Sequence, residues 1–212
     1  AFQPVNTFLH HAADEFYVEG GTTQVARALA DQSKARLETG ATVTEVVSTG
    51  TGVSIQYEQS GTQYSVQARK CVVAVPAPIA LRVLGDIPEA KRAALAQCEY
   101  GAMSSAAYLV DKPAEHFFGE GVWRVPVVDR MTIGIGDPTF TFSDDIKRED
   151  GRGLIRLYTG NDGSQMLQQM SDDEALDIFE KDLYDIFPSV RGKVLDRAIK
   201  HWPYAICPWR VG

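Results

Sequence analysis

No CxxC pair occurs in this sequence, and its three cysteines, Cys71, Cys98 and Cys207, show no metal-ligand spacing. Cys71 lies in the apolar run CVVAV and reads as a small buried hydrophobe. Cys98 has Glu99 beside it and no activating base, so a nucleophilic cysteine is not expected. Disulfides are not expected either, and this thiol usage predicts a reducing, cytoplasmic-type compartment. The four histidines, His10, His11, His116 and His201, have no ligand partners at metal-site spacing, so no metal is predicted. Apolar runs approaching the roughly 20 residues of a membrane helix are missing. The opening AFQPVNTFLHH has neither the basic stretch nor the apolar core of a signal peptide. Basic residues are also scarce: 21 Lys and Arg stand against 28 Asp and Glu, a net charge of −7. That balance argues against nucleic acid and anionic membrane as partners. Finally, no complete GxGxxG, P-loop or Ser/His/Asp set is recognisable.

What is present is a globular composition, 44% hydrophobic, at a length that suits one domain or two small ones. The stretch EFYVEGGTTQVARALADQ reads as a strand over 16–19, the glycine pair Gly20-Gly21, and a helix from about Thr22 to Leu37. Thr22 or Thr23 can cap that helix, and Val25, Ala28 and Leu29 share one of its faces. GGTTQV lacks the first and third glycines of a dinucleotide loop, so the residues alone fit a tight turn better than a nucleotide site. A β-meander follows: ATVTEVVST, GVSIQYEQ and TQYSVQA, with Val43 and Val47 expected on one face. The continuous run Cys71–Val75 predicts a strand buried on both faces, stopped by Pro76 and Pro78. Short helical pieces are expected over Ile79–Leu84 and from Pro88.

After Tyr100 the pattern changes. AMSSAAYLVD, GVWRVPVV, MTIGIGD and GLIRLYTG read as strands, GIGDP as a loop, and VLDRAIKHW as a last strand. Ser171 to Phe187 is the clearest helix: Ser171 and Glu174 make a capping box, and Leu176, Phe179, Leu183 and Phe187 form its apolar stripe. Asp172, Asp173 and Glu174 suit a helix start better than a cation site. Tyr108, Trp123 and Tyr158 fall on predicted strands, where they could line a substrate pocket or fill a core. The fold class is α+β: an α/β portion followed by an antiparallel sheet with helices.

The order of these pieces resembles the flavin-dependent amine oxidase superfamily, which includes monoamine oxidases, protoporphyrinogen oxidases and phytoene-desaturase-like enzymes. The matching motifs are Gly20-Gly21, Leu29-Ala30, Val43-Thr44-Glu45-Val46 and Val72-Val73-Ala74-Val75-Pro76, with HWPYAICPWRVG resembling the return to the FAD domain. The resemblance implies an internal fragment without the opening GxGxxG and the closing FAD segment. It implies a partial FAD-binding domain over 1–85, a substrate-binding domain over 86–202, and the start of the return over 203–212. The expected activity is that of an FAD-dependent oxidoreductase, with a small, apolar or amine substrate. FAD binding by this piece alone is expected to be weak or absent. Val43, and with it Ala74 and Pro76, are the implied cofactor contacts; Val43 would meet the adenine through its backbone. The amine oxidases carry a lysine on the first strand of the substrate domain, at a position that corresponds to Ser105; no lysine lies between Lys91 and Lys112. That departure leaves room for a desaturase or protoporphyrinogen-oxidase-like activity, and no catalytic side chain is assigned. The other reading is a non-catalytic ligand- or partner-binding domain. The two differ in one expectation: a fragment leaves apolar surface exposed around 71–75 and self-associates through it.

Overall fold

The computed structural model of the chain describes Val18, residues 21–119, Val122, and residues 124–139 and 151–207. Apart from Val18, which has no regular secondary structure, the expected strand at 16–19 lies outside the described residues, as do Gly20, Trp123 and the end of HWPYAICPWRVG. The fold is α+β with antiparallel sheets. The chain divides into two compact units: Ala1–Ala35 with Ser104–His201, and Arg36–Met103 with Trp202–Gly212.

In the Arg36–Met103 unit, three strands form a meander: β1 (Ala41–Thr49), β2 (Gly52–Gln59) and β3 (Thr62–Ala68), in the order β1-β2-β3. Short turns join them, and Ser60 (φ 53°) and Gly61 (φ 77°) both take left-handed backbone at the second. The register breaks between Val43 and Glu45, where Thr44 is left without a partner, a β-bulge. The bulge corrects the sequence expectation. Val43 opposes Tyr57, Val46 opposes Ile55, and Val47 opposes Ser54. Val43 therefore shares a face with Val46 and not with Val47, because one extra residue inverts the alternation that follows it. Two short helices complete the unit. Helix α2 (Ala77–Val83) starts after Pro76, whose carbonyl accepts the Ile79 and Ala80 N–H groups. Helix α3 (Glu89–Ala96) starts after Pro88.

The run Cys71–Val75 is not a buried strand. It has no regular secondary structure, Val72 is 90% exposed and Val75 46%. β-Branched residues favour extended backbone, but a strand needs a hydrogen-bonding neighbour. Among the described residues no segment pairs with it.

In the other unit, helix α1 (Thr23–Gln32) is shorter than expected and has no side-chain cap at Thr22. Its apolar residues Val25 and Leu29 stand exposed. The five-stranded sheet has the order β5-β6-β7-β4-β8. Its strands are β4 (Gly101–Val110), β5 (Arg124–Pro126), β6 (Gly134–Gly136), β7 (Gly153–Gly160) and β8 (Val194–Ile206). β6 falls within MTIGIGD, expected as a strand, and takes in Gly134–Gly136 of the stretch expected as a loop; it lies between β5 and β7. Pairing β5–β6 and β6–β7 is antiparallel. β4 and β8 also run oppositely: the Asp111 N–H donates to the Lys193 carbonyl at one end, and Ser104 meets His201 at the other.

β4 alternates strictly. Ala102, Ser104, Ala106, Tyr108 and Val110 are buried, and the residues between them are half-buried. The buried side meets helix α6 (Asp172–Ile186), which presents Leu176, Phe179 and Leu183 to a core shared with Ile135, Ile155 and Leu157. Each such side chain stabilises the fold by about 1.5–3 kcal/mol through burial. The capping box forms as the sequence indicates: the Glu174 N–H donates to Ser171 Oγ at 3.3 Å, and the Ser171 N–H to Glu174 Oε2 at 2.9 Å. Two short helices, α4 (Glu115–Phe118) and α5 (Asn161–Leu167), have no counterpart in the sequence reading.

Candidate functional site

A sheet with one face sealed by helices offers its other face for binding. Cross-strand register identifies the residues on that face. Tyr158 opposes Gly134, Gly136 opposes both Arg156 and Arg124, and Pro126 opposes Gly134. Directly opposed residues project to the same side. Tyr158, Arg156 and Arg124 therefore share the side away from Ile135 and Leu157, which belong to the core.

These side chains form one cluster. Arg124 and Arg156 each hold a guanidinium carbon 5.7 Å from the centroid of the Tyr158 ring, within cation–π range. Arg124 also donates to the Tyr158 hydroxyl. Arg156 donates through Nε to Ser105 Oγ at 3.1 Å, and Ser105 in turn donates to the Leu157 carbonyl at 3.2 Å. Glycine at 134 is what lets the ring lie down: a Cβ there would sit 2.5 Å from the phenol end of Tyr158. Tyr158 is 9% exposed under these neighbours, whereas Arg156 is exposed. Among the described residues no carboxylate pairs with Arg156. Half-buried apolar residues of this face include Ala107 and Leu109 on β4 and Leu154 on β7.

Tyr108, the other expected pocket tyrosine, is a core residue. It is fully buried, and its hydroxyl donates to the Leu176 carbonyl at 2.7 Å. Burial first, then the nearby Glu180 charge, hold its phenol well above the ordinary range. Tyr184, on the helix above, is pushed up to about 12 by burial and by its hydrogen bond to Glu180.

The implied cofactor residues lie in the meander unit. Val43 is 41% exposed on edge strand β1, beside the unpartnered bulge residue Thr44. Ala74 is exposed and Pro76 half-buried, and the Ala77 N–H next to Pro76 donates to the Tyr100 hydroxyl. A bulge on an edge strand frees backbone polar groups, which fits an adenine contact made through the main chain at Val43. The fit reaches only that end of a dinucleotide.

Sequence reasoning missed a Ser–His–Asp arrangement. Ser104 Oγ lies 2.7 Å from His201 Nδ1 and 2.7 Å from Ser164 Oγ, and His201 Nε2 is 3.6 Å from Asp172. Ser104 and Ser164 are fully buried, so no substrate reaches the hydroxyl; the network fastens β8 to β4 and α5. An open groove of about 620 Å³ lies beyond the end of β7, lined by Asp129, Arg130, Asn161 and Asp162 among others. Its arginine is engaged by Asp182 at 3.4 Å and Asp185 at 3.0 Å. Among the described residues no group of His, Cys, Asp and Glu could hold a metal, and no helix is long and apolar enough to cross a membrane.

The sequence profile described as flavin containing amine oxidoreductase matches residues 1–208. The chain belongs to this family. No curated protein matches it. Solved structures with the same fold include a putrescine oxidase bound to putrescine, 16% identical with a TM-score of 0.67, covering 85% of this chain and 38% of that one. Another is a provisionally assigned protoporphyrinogen oxidase from Exiguobacterium sp. 255-15, 14% identical with a TM-score of 0.66, covering 91% of this chain and 41% of that one. The chain thus spans about two-fifths of the length of these structures. Sequence reasoning reached the family through the order of its motifs; the cluster around Tyr158 it did not reach, beyond Tyr158 itself and the position of Ser105.

Proposed function

We propose that the chain serves an FAD-dependent oxidoreductase that removes a hydride from a C–N or C–C bond of a small substrate. Residues 86–202 form mainly its substrate-binding domain, and residues 1–85 and 203–212 belong to its FAD-binding domain. The observation that carries this reading is the open sheet face: a flat array with half-buried apolar residues and a polar cluster, backed by a sealed core. When bound, the flavin supplies the hydride acceptor. The protein's own residues do the rest. Val43 holds the adenine end through its backbone, with Ala74 and Pro76 near the cofactor. Tyr158 and the half-buried residues beside it wall the substrate and exclude water. Ser105 stands where the amine oxidases carry lysine, so this chain brings no ammonium to that point and its activity falls on the desaturase or protoporphyrinogen-oxidase side of the superfamily.

Exposed apolar residues on the meander unit, Val72 above all, support this reading over a self-contained binding domain. Taken alone, the chain would bind FAD weakly, lack activity and self-associate through that surface. The test is the visible spectrum of the full-length protein. Flavin bands that bleach on anaerobic substrate addition are the expected result, and a full-length protein without flavin bands would refute the proposal.

A further inference from the structure

Two arginines meet on the open face of a protein whose net charge is −7. Arg124 and Arg156 converge on one tyrosine ring, each 5.7 Å from its centroid, so they can be no farther apart than the sum of those distances. Their side chains are not free to swing. Arg156 is tethered by Nε to Ser105, and that hydrogen bond leaves the terminal nitrogens of its fork available. Arg124 is tethered to the Tyr158 hydroxyl. Tyr158 is in turn seated on Gly134. Arginines preorganised in this way bind oxyanions at low cost in side-chain entropy.

We propose that this cluster is a carboxylate-binding site, and that the substrate is an apolar molecule with an anionic end. The proposal rests on the oxidoreductase reading, in that the same face is the substrate wall. Arg156 supplies the charge-assisted hydrogen bonds, and Ser105 with Tyr158 positions its guanidinium group. Ala107, Leu109 and Leu154 take the apolar body. A protonated amine would meet like charge here, so a diamine such as putrescine is a poor substrate. The short serine at position 105 is part of the device: it accepts from Arg156, a contact that a lysine could not make because its ammonium only donates.

The test uses the full-length, flavin-loaded protein and three probes that share a phenyl ring and differ in the charge and geometry of the head group: benzoate, benzamide and phenylphosphonate. Binding is measured by calorimetry, with the flavin spectrum recorded alongside. Benzoate should bind at least ~10-fold more tightly than benzamide, because a guanidinium makes stronger hydrogen bonds to a charged acceptor than to a neutral one. Arg156→Met should weaken benzoate at least ~10-fold while leaving benzamide affinity and the melting temperature unchanged. Arg156→Lys, which keeps charge without the fork, should fall between them. Equal affinity for benzoate and benzamide, or an unaltered benzoate affinity in Arg156→Met, would overturn the proposal. Tighter binding of phenylphosphonate than of benzoate would overturn the carboxylate assignment in favour of phosphate. A protein with no flavin bands that still selects benzoate would keep the anion site and refute the oxidoreductase reading.

Discussion

The two compact units treat their apolar side chains in opposite ways. Between Ser104 and His201 a continuous core forms, in which Tyr108, Ile135, Ile155, Leu157, Phe179 and Leu183 are inaccessible to solvent. Between Arg36 and Met103 the buried hydrophobic residues are Val46, Ala77, Ala80 and Ala102, while Val43, Tyr64, Val66 and Val72 stand out in solvent. Both units have well-formed antiparallel strands. The comparison separates two things that a sheet needs: backbone ladders, which tight turns and alternation supply locally, and a cover for the apolar face, which only another layer supplies. The first unit has its cover in α6. It can therefore leave its opposite face open and charged without losing its fold, a combination that suits a binding site.

The largest expected effect tests the sealed side. Phe179→Ala removes a fully buried ring from α6 and should cost about 3–5 kcal/mol in a denaturant titration. A loss below 1 kcal/mol would show that the core is not what holds this unit together. Next comes the open side. Gly134→Ala places a methyl group 2.5 Å from the Tyr158 phenol. Displacing the ring should cost about 1–3 kcal/mol and should weaken benzoate binding, whereas binding at wild-type strength would mean that the seat of Tyr158 is irrelevant to the site.

Acid provides a third comparison. Lys181 and Arg130 hold the Asp185 carboxyl below the ordinary range, and the Ser171 N–H and hydroxyl do the same for Glu174. Both folded pKa values are lowered, so these groups contribute stability above the unfolded carboxylate range of about 4, and lose it as pH falls through their folded values. Both residues lie in the core unit. Its melting temperature should be flat above about pH 5 and decline below pH 4, and Asp185→Asn should make that decline shallower. The smallest effect belongs to the meander unit: Val72→Ser should change stability by no more than about 0.5 kcal/mol, yet reduce self-association in sedimentation.

Local features of the fold were legible in the sequence. Helix α6 announced itself through Ser171, Glu174 and an apolar stripe, and the meander through period-two alternation, because both depend on neighbours within a few residues. The unread features depend on distant ones. Ser105 and Arg156 are 51 residues apart and Arg124 and Tyr158 34 apart, and only the strand order β5-β6-β7-β4 brings them together. Ser104 and His201 are separated by 97. The face of Val43 was misassigned because composition does not reveal a bulge. Cys71–Val75 has the composition of a buried strand, but burial is a property of what surrounds a segment.

The claim that this sheet has one sealed and one working face is open to a direct check by thiol labelling. Adjacent residues on β4 point to opposite sides, so Ser105→Cys and Ala106→Cys report on the two faces from one strand. Each is placed in the flavin-loaded full-length protein, in a background free of other thiols, and treated with methyl methanethiosulfonate. The account predicts that the cysteine at 105 reacts and that benzoate at about ten times its Kd slows it ~10-fold by occupying the site, while the cysteine at 106 stays inert throughout. Equal reactivity at the two positions, or labelling at 105 that ignores benzoate, would contradict it.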